Sequence, residues 1–429
     1  MRPLLLVALY VSTAFALPFQ LIKKETSPFS SPTLLIIAGI HGNEPGSYFA
    51  AALLSQYYTI HKGNIWIVPD LNRESILQNN RGIYGDMNRK FADLNDTDPD
   101  YPTVTEIKKI IEDPQIDLIL NLHDGHGFYR KKYQNTIFNP NAWGQTCVID
   151  QGELNASHPF SNLSQIATRV SEKINKHLIK KHHLFDVRNT NTRFDDEAMR
   201  HSLTYYSVTH HKPAFAIETS KNLPTLHEKV FYHLKAIESY MDIMGIAYES
   251  TFDLTPKNVE NTLRNHGNLI INNKFYLNLN NLKNSLSYIP IQSEHNEFIF
   301  SHPLGNVRPN GNVIDIFIGN QKITSLHPSY HAKDSLSQPI VIEIDGKPKK
   351  LDFATVFSVT ADFKVINNDP EIRVNIIGLS KKESKDESNI LVSRKDLDPK
   401  FAVDKSLKSY RIEFYRQNRF CGMVLVHFK

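Results

Sequence analysis

The sequence predicts an α/β unit built on a mixed, mostly parallel sheet with helices on both faces, followed by one or two small β-rich domains. Two observations predict it. Up to about residue 249, short apolar runs alternate with longer amphipathic ones. Strand, helix, strand in that order implies a largely parallel sheet covered on both sides. Beyond about residue 250 the helical patterns fade and period-two alternation takes over, which reads as β structure. At 429 residues the chain is long for one domain.

The elements follow in order. Residues 1–16 read as a secretory signal peptide: Arg2, an apolar run from Leu4 to Phe15, and an Ala14-Phe15-Ala16 end. The run is short for a bilayer span, and an uncleaved anchor is the alternative. The α/β unit is expected over residues 17–249. Thr33–Ile40, Ile65–Pro69, Leu118–Leu122 and Ala214–Ile217 read as buried strands. Pro45–Tyr58, Thr103–Glu112, Asn162–Lys181 and Leu226–Ile243 read as helices, with apolar residues three and four apart. A small β-rich domain is expected over residues 250–335 and a β-sandwich-like one over 336–429. Their strand candidates are Phe275–Leu279, Val313–Ile318, Ile340–Ile344, Phe353–Val359, Ile372–Ile377, Arg411–Tyr415 and Met423–Phe428. Asp345-Gly346 between two such runs signals a hairpin. Lys381–Ser388 reads as a solvated charged loop.

Composition narrows the function classes. Charged residues are 22 % and apolar ones 41 %, the balance of a globular protein. The net charge of +4 favours anionic surfaces without marking a nucleic-acid binder. Cys147 and Cys421 are the only cysteines; two unpaired thiols are preferred to a disulfide, and they form no ligand cluster.

Four polar sites share one topological position. His41 follows the first strand, Asn72 and Arg73 the second, His123 the third and Glu218 the fourth. Ligands of open α/β sheets bind beyond the carboxyl ends of the strands. In His41-Gly42-Asn43-Glu44, a His and a Glu three apart can reach one metal across a strand-to-helix turn, with Gly42 permitting the turn and Pro45 opening the helix. In Asn121-Leu122-His123-Asp124-Gly125-His126, a distant histidine completes a three-ligand site; His123 is preferred and His126 is its rival. Zinc held by three protein ligands keeps a fourth position for water. Glu218, at the end of an apolar strand, is costly to bury without purpose and suits a general base. Arg81 and Asp86-Met87-Asn88-Arg89 offer bidentate and neutral donors to a carboxylate or an oxyanion.

These motifs, HGNE at 41–44, Arg81, DMNR at 86–89, NLHDG at 121–125 and AIET at 216–219, resemble in residue and order the zinc metallocarboxypeptidases of the carboxypeptidase A type. The resemblance covers roughly residues 30–245. It implies one zinc ion on His41, Glu44 and His123, Arg81 polarising the scissile carbonyl, Asn88 and Arg89 holding the terminal carboxylate, and Glu218 as base. Thr204 and Tyr206 are further candidates for lining the pocket, with Tyr205 beside them. The chain departs from the family in having Asp124 after the third ligand. It also shortens the interval between ligands, 123 − 44 = 79 residues.

The signal peptide, the short catalytic unit, the HDGHGFY stretch and the β-rich half resemble more closely the D,L-carboxypeptidases that set helical cell shape in Helicobacter and Campylobacter. That likeness implies a periplasmic hydrolase trimming the stem peptides of peptidoglycan, from muramyl tripeptide to dipeptide, with release of meso-diaminopimelate. No nucleic-acid partner and no stable membrane anchor are expected, while partners in the wall or a shape-determining complex could dock on the β domains. The competing readings are an N-acyl amino acid deacylase or amidase of the same superfamily, and a non-catalytic wall-binding protein.

Overall fold

A computed structural model describes residues 18–26, 31–154, 158–334, 339–380 and 385–429. The expected signal peptide and the first half of the 381–388 run lie outside the described residues. Among the described residues, no helix is long and apolar enough to cross a membrane.

A seven-stranded sheet organises the first unit. Its strands are β1 (Ile22–Glu25), β2 (Thr33–Ile37), β3 (Asn64–Val68), β4 (Leu118–Gly125), β5 (Thr146–Ile149), β6 (Asp186–Asn189) and β7 (Ala214–Ser220). The spatial order is β1-β3-β2-β4-β7-β5-β6. The central four run parallel. At the flanks, β1 pairs antiparallel with β3, and β5 antiparallel with β7. The sheet is therefore mixed with a parallel centre, as expected. Strands β2, β3 and β4 are buried along their whole length, which explains their unbroken apolar sequences. Strands β1 and β6 escape the sequence reading because Ile22–Glu25 and Asp186–Asn189 carry too few apolar residues to stand out, and β5 escapes it because its buried run is only four residues long.

Strand ends matter most for the site. Strands β4 and β7 each run three residues past their apolar sequence, to Gly125 and Ser220. His123 and Glu218 therefore lie inside strands rather than after them. They are register partners across the parallel β4–β7 pairing, which puts them side by side.

Helix Pro45–Tyr57 packs against helix Leu226–Met244 and is buried from Gly46 to Leu54. Helices Tyr101–Glu112 and Leu163–Ile174 occupy the other expected positions, the latter ending well before Lys181. Helix Leu203–Thr209 adds a short element.

The remaining strands build small sheets. A three-stranded and a four-stranded sheet occupy residues 268–330, and two four-stranded sheets occupy residues 340–428. Asp345-Gly346 turns between Ile340–Ile344 and Lys347–Leu351, both residues at positive φ, as the hairpin signal requires. The two sheets of the last unit enclose their own apolar core. The first core is not confined to the α/β unit. It runs from Phe19 through Leu326 and takes in Val403, Phe420 and Met423 of the last unit. Gly319 packs against Tyr48 and Phe49 of the first long helix, where a Cβ would sit 3.1 Å from each ring.

A buried arginine, ion-paired within its own strand, also joins the β units. Arg411 lies 3.3 Å from Glu413, both nearly inaccessible, and donates to the carbonyls of Tyr288 and Ser287 at 3.0 and 3.1 Å. Removing one member strands the other charge away from water, at a cost of about 3–5 kcal/mol. Arg411→Ala is expected to lower the urea midpoint by that order. A midpoint within error of the parent would show that the pair contributes nothing.

Candidate metal and peptide site

Four sequence segments converge on the carboxyl edge of the parallel strands. His41, Glu44 and His123 are all buried, and one ligand atom from each lies within 4.8 Å of the other two. His41 Nδ1 is 3.1 Å from Glu44 Oε1, and His123 Nδ1 is 2.9 Å from Glu44 Oε2. The imidazole centroids are 5.0 Å apart.

Local structure explains why Glu44 points inward. It holds the N-cap position of helix Pro45–Tyr57 yet makes no side-chain cap. Its carboxylate instead takes the two imidazoles, Arg81 Nη1 at 3.1 Å, Lys221 Nζ at 3.3 Å and the Asp124 amide at 3.2 Å. The helix end is capped from outside, because the Gly46 amide donates to Asp124 Oδ2 at 2.8 Å. The role of Gly42 differs from the sequence reading. Its φ is not positive; a Cβ there would fall 1.9 Å from the Ser75 carbonyl oxygen, so glycine is required by close backbone approach.

The donor set fits a divalent ion. Two imidazoles and one carboxylate make a three-ligand site with room for water. The outer nitrogen of His41 donates to Asp86 Oδ1 at 2.7 Å, the carboxylate–histidine arrangement that orients a ligating ring. His41 Nδ1, although buried, makes no well-aligned hydrogen bond. Burial alone would depress the His41 pKa, but Glu44 and Asp86 carry it up to about 9. Burial opposes ionisation of Glu44, yet His41 and His123 hold its pKa well below the usual carboxylate range. Burial lowers that of His123.

Glu218 faces the same space. Burial first, and then the Glu44 carboxylate, push it up to about 8. Its Oε2 would lie 2.7 Å from a Cβ added to Gly125. Behind it, Asp124 forms a buried hub: Thr219 Oγ1 donates at 2.5 Å and His233 Nε2 lies 3.1 Å away. Asp124 thus ties the His41–Glu44 turn, the strands that carry His123 and Glu218, and helix Leu226–Met244 together.

A cavity of about 370 Å³ opens over these groups and is lined by Arg81, Asn88, Arg89 and Thr204 among others. Arg81 is pinned by Asp86 at 2.9 Å. Asn88 Oδ1 accepts from the Leu203 amide at 3.0 Å, holding Arg89 beside the start of helix Leu203–Thr209. His126 lines the cavity but stands outside the cluster of His41, Glu44 and His123.

Three expected neighbours do not reach the cavity. Tyr206 is two residues beyond Thr204 on a helix, hence on the opposite side; its hydroxyl donates to Glu112 and its ring packs on Phe91 and His210. Asn72 caps the helix Arg73–Leu77, and Arg73 pairs with Asp70 at 2.7 Å. Lys221, Trp143 and Met199 line the cavity and were missed. Lys221 sits three residues past Glu218, directly after the end of β7 at Ser220, a position that the true strand length reveals. No sequence pattern marks Trp143 or Met199.

The family models match this chain over nearly all of these elements. Residues 2–264 match the model described as the catalytic part of the carboxypeptidase controlling helical cell shape. The chain belongs to that family. Residues 333–429 match a model of the C-terminal domain of metallo-carboxypeptidases. Among solved structures, the apo cell shape determinant Csd4 from Helicobacter pylori is 36 % identical with a TM-score of 0.90, covering 96 % of this chain and 100 % of that one. The mDAP-bound form of the same H. pylori protein, described as a D,L-carboxypeptidase, is 37 % identical with a TM-score of 0.90, covering 95 % and 100 %. No curated protein compared with the chain matches it. Membership makes the chain a metallocarboxypeptidase and bears out the fold, the enzyme class and the link to cell shape.

Gly125 generates one prediction. A methyl group there would meet Trp143 Cβ at 2.5 Å and the Glu218 carboxylate. Gly125→Ala is expected to leave bound metal stoichiometric while turnover falls on the order of a hundredfold, as a displaced reacting group does. Loss of metal in parallel with activity would instead place the damage at the ligands.

Asp150 generates another. Burial pushes this carboxyl, which accepts from Thr192, up to about 6. A raised acid favours the protonated form in the fold, so its contribution is complete below about pH 4 and is lost as pH rises through 6. The range corresponds to roughly 3 kcal/mol at most. Asp150→Asn is expected to flatten that fall in a stability profile from pH 4 to 7; an unchanged slope would refute the assignment.

Proposed function

We propose that the chain is a zinc-dependent D,L-carboxypeptidase of the periplasm that trims peptidoglycan stem peptides, cutting muramyl tripeptide to dipeptide and releasing meso-diaminopimelate. The convergence of His41, Glu44 and His123 below an arginine-lined cavity carries the reading. The related H. pylori Csd4 has been solved with a tripeptide and with mDAP bound, which supports this substrate class. The signal peptide read at residues 1–16 supports export to the periplasm.

His41, Glu44 and His123 would hold the zinc. When bound, zinc lowers the pKa of a water to about 7 and polarises a carbonyl. The chain's own groups do the rest. Glu218, with its elevated pKa, takes a proton from the attacking water and delivers it to the leaving amine. Arg81 reaches into the cavity and stabilises negative charge growing on the carbonyl oxygen. Arg89, with Asn88, grips the carboxylate of the terminal residue and aligns the bond to be cut. Thr204 closes the same wall. The three-domain division at residues 249 and 335 completes the proposal, with the β units supporting the catalytic one.

Mass spectrometry of purified muropeptides, with and without a chelator, tests the reading. The tripeptide is expected to convert to dipeptide plus free diaminopimelate only without chelator. Intact tripeptide alongside cleaved N-acyl amino acids would favour a deacylase. Glu218→Gln is expected to retain zinc and lose about 10²–10⁴ in kcat. Parental turnover in that variant would remove Glu218 from the chemistry.

A further inference from the structure

We propose that a basic surface bordering the cavity holds the polyanionic wall polymer from which the substrate peptide projects. Two sequence runs build it, Arg130-Lys131-Lys132 and the segment from Lys176 to His183. The fold joins them. Arg130 Nη2 donates to the His182 carbonyl at 2.5 Å and Nη1 to that of Leu184 at 3.3 Å. Phe128 stacks on His183, with centroids 5.7 Å apart and planes 10° from parallel. Six cations meet there: Arg130, Lys131, Lys132, Lys176, Lys180 and Lys181. All but the half-buried Arg130 are exposed. Lys131 pairs with Asp186 at 3.2 Å.

Exposed lysines are usually just solvated, but here five of them flank an arginine that ties the two runs together. Six cations stand against the Asp186 carboxylate and Glu172 on this surface. Such a patch attracts a polyanion over about a Debye length, and salt screens the attraction.

Contact continues from the patch to the cavity. Arg130 Nη1 donates to the Tyr129 carbonyl at 2.6 Å. The Arg188 guanidinium lies 5.6 Å from the Tyr129 ring centroid and 3.8 Å from that of Trp143, which lines the cavity. A partner on the patch therefore sits beside the bound peptide. The proposal rests on the peptidoglycan reading, in which each stem carries free carboxylates and hangs from a covalent network. A membrane lying on the patch would crowd the cavity mouth, whereas the polymer that bears the peptide delivers it there.

The test uses K132E/K176E/K180E/K181E, four lysines outside the catalytic machinery. Pull-down by isolated sacculi is measured across a salt series, with Glu218→Gln as the unreactive parent. Turnover of soluble muramyl tripeptide is measured on the four-lysine variant without that substitution. Sacculus binding is expected to fall on the order of tenfold with the charge reversal and to weaken with salt in the parent. Soluble-tripeptide turnover is expected to stay at the parental level, which also reports an intact fold. Parental sacculus binding by the variant overturns the proposal. So does salt-insensitive binding, loss of soluble turnover together with binding, or capture of the parent by phosphatidylglycerol vesicles but not by sacculi. Failure of the peptidase reading shows separately, as no tripeptide turnover by the unmutated enzyme, while sacculus binding is still read.

Discussion

The carboxylate of Glu44 is the constraint on which the catalytic unit depends. It is 2 % exposed and sits at a helix N-terminus, where its own amides would ordinarily claim it. An ionised carboxylate taken out of water must be met by partners or it neutralises. Here His41, His123, Arg81, Lys221 and the Asp124 amide meet it. These partners come from the ligand turn, β4, the loop at residue 81 and the end of β7. One buried charge thus draws together four segments that the sheet topology brings only near one another.

The same charge sets the chemistry beside it. Glu218 is a register partner of His123, so the parallel pairing delivers a second carboxylate to the same space. Two carboxylates in one buried site push their proton affinities apart. Glu44, in contact with both imidazoles, stays ionised; at Glu218 burial and the Glu44 charge outweigh His41 and Arg81, and it rises toward neutrality. That division separates a group suited to holding a cation from one suited to moving a proton. A cation on the ligands would draw Glu218 back down, so its proton affinity would follow occupancy of the neighbouring site.

Much of this was legible in the residues, and the reasons are physical. Strands β2, β3 and β4 are fully buried, so their sequences are unbroken apolar runs with clear ends. His41 and Glu44 stand out because they follow such a run and precede Pro45. Arg81 and Asn88-Arg89 stand out as donors suited to a carboxylate, and the resemblance adds what each would hold. What stayed hidden depends on tertiary pairing. The polar extensions of β4 and β7 exist only because each strand pairs with the other, so His123 and Glu218 were taken to follow strands they lie within. Tyr206 was misplaced because helix Leu203–Thr209 is too short for a clear period, and its phase decides which side chain faces the cavity. Strand β6 reads as a polar loop, because DVRN shows no apolar run.

The β-rich half is more than an appended binding module. Tyr48 and Phe49 lie one turn past Glu44 on the first long helix, and they pack directly on Gly319 of the middle unit. Tyr48 also donates to the Gly42 carbonyl at 3.2 Å, inside the ligand turn. The apolar core is continuous from that helix into the middle unit and on to Phe420 and Met423, and Arg411 bonds the last unit to the Tyr288 and Ser287 carbonyls of the middle one. Close-packed interiors transmit displacement rather than absorb it. The His41–Glu44 turn is therefore braced from behind by the β units, and its geometry depends on residues far outside the segment that carries the motifs.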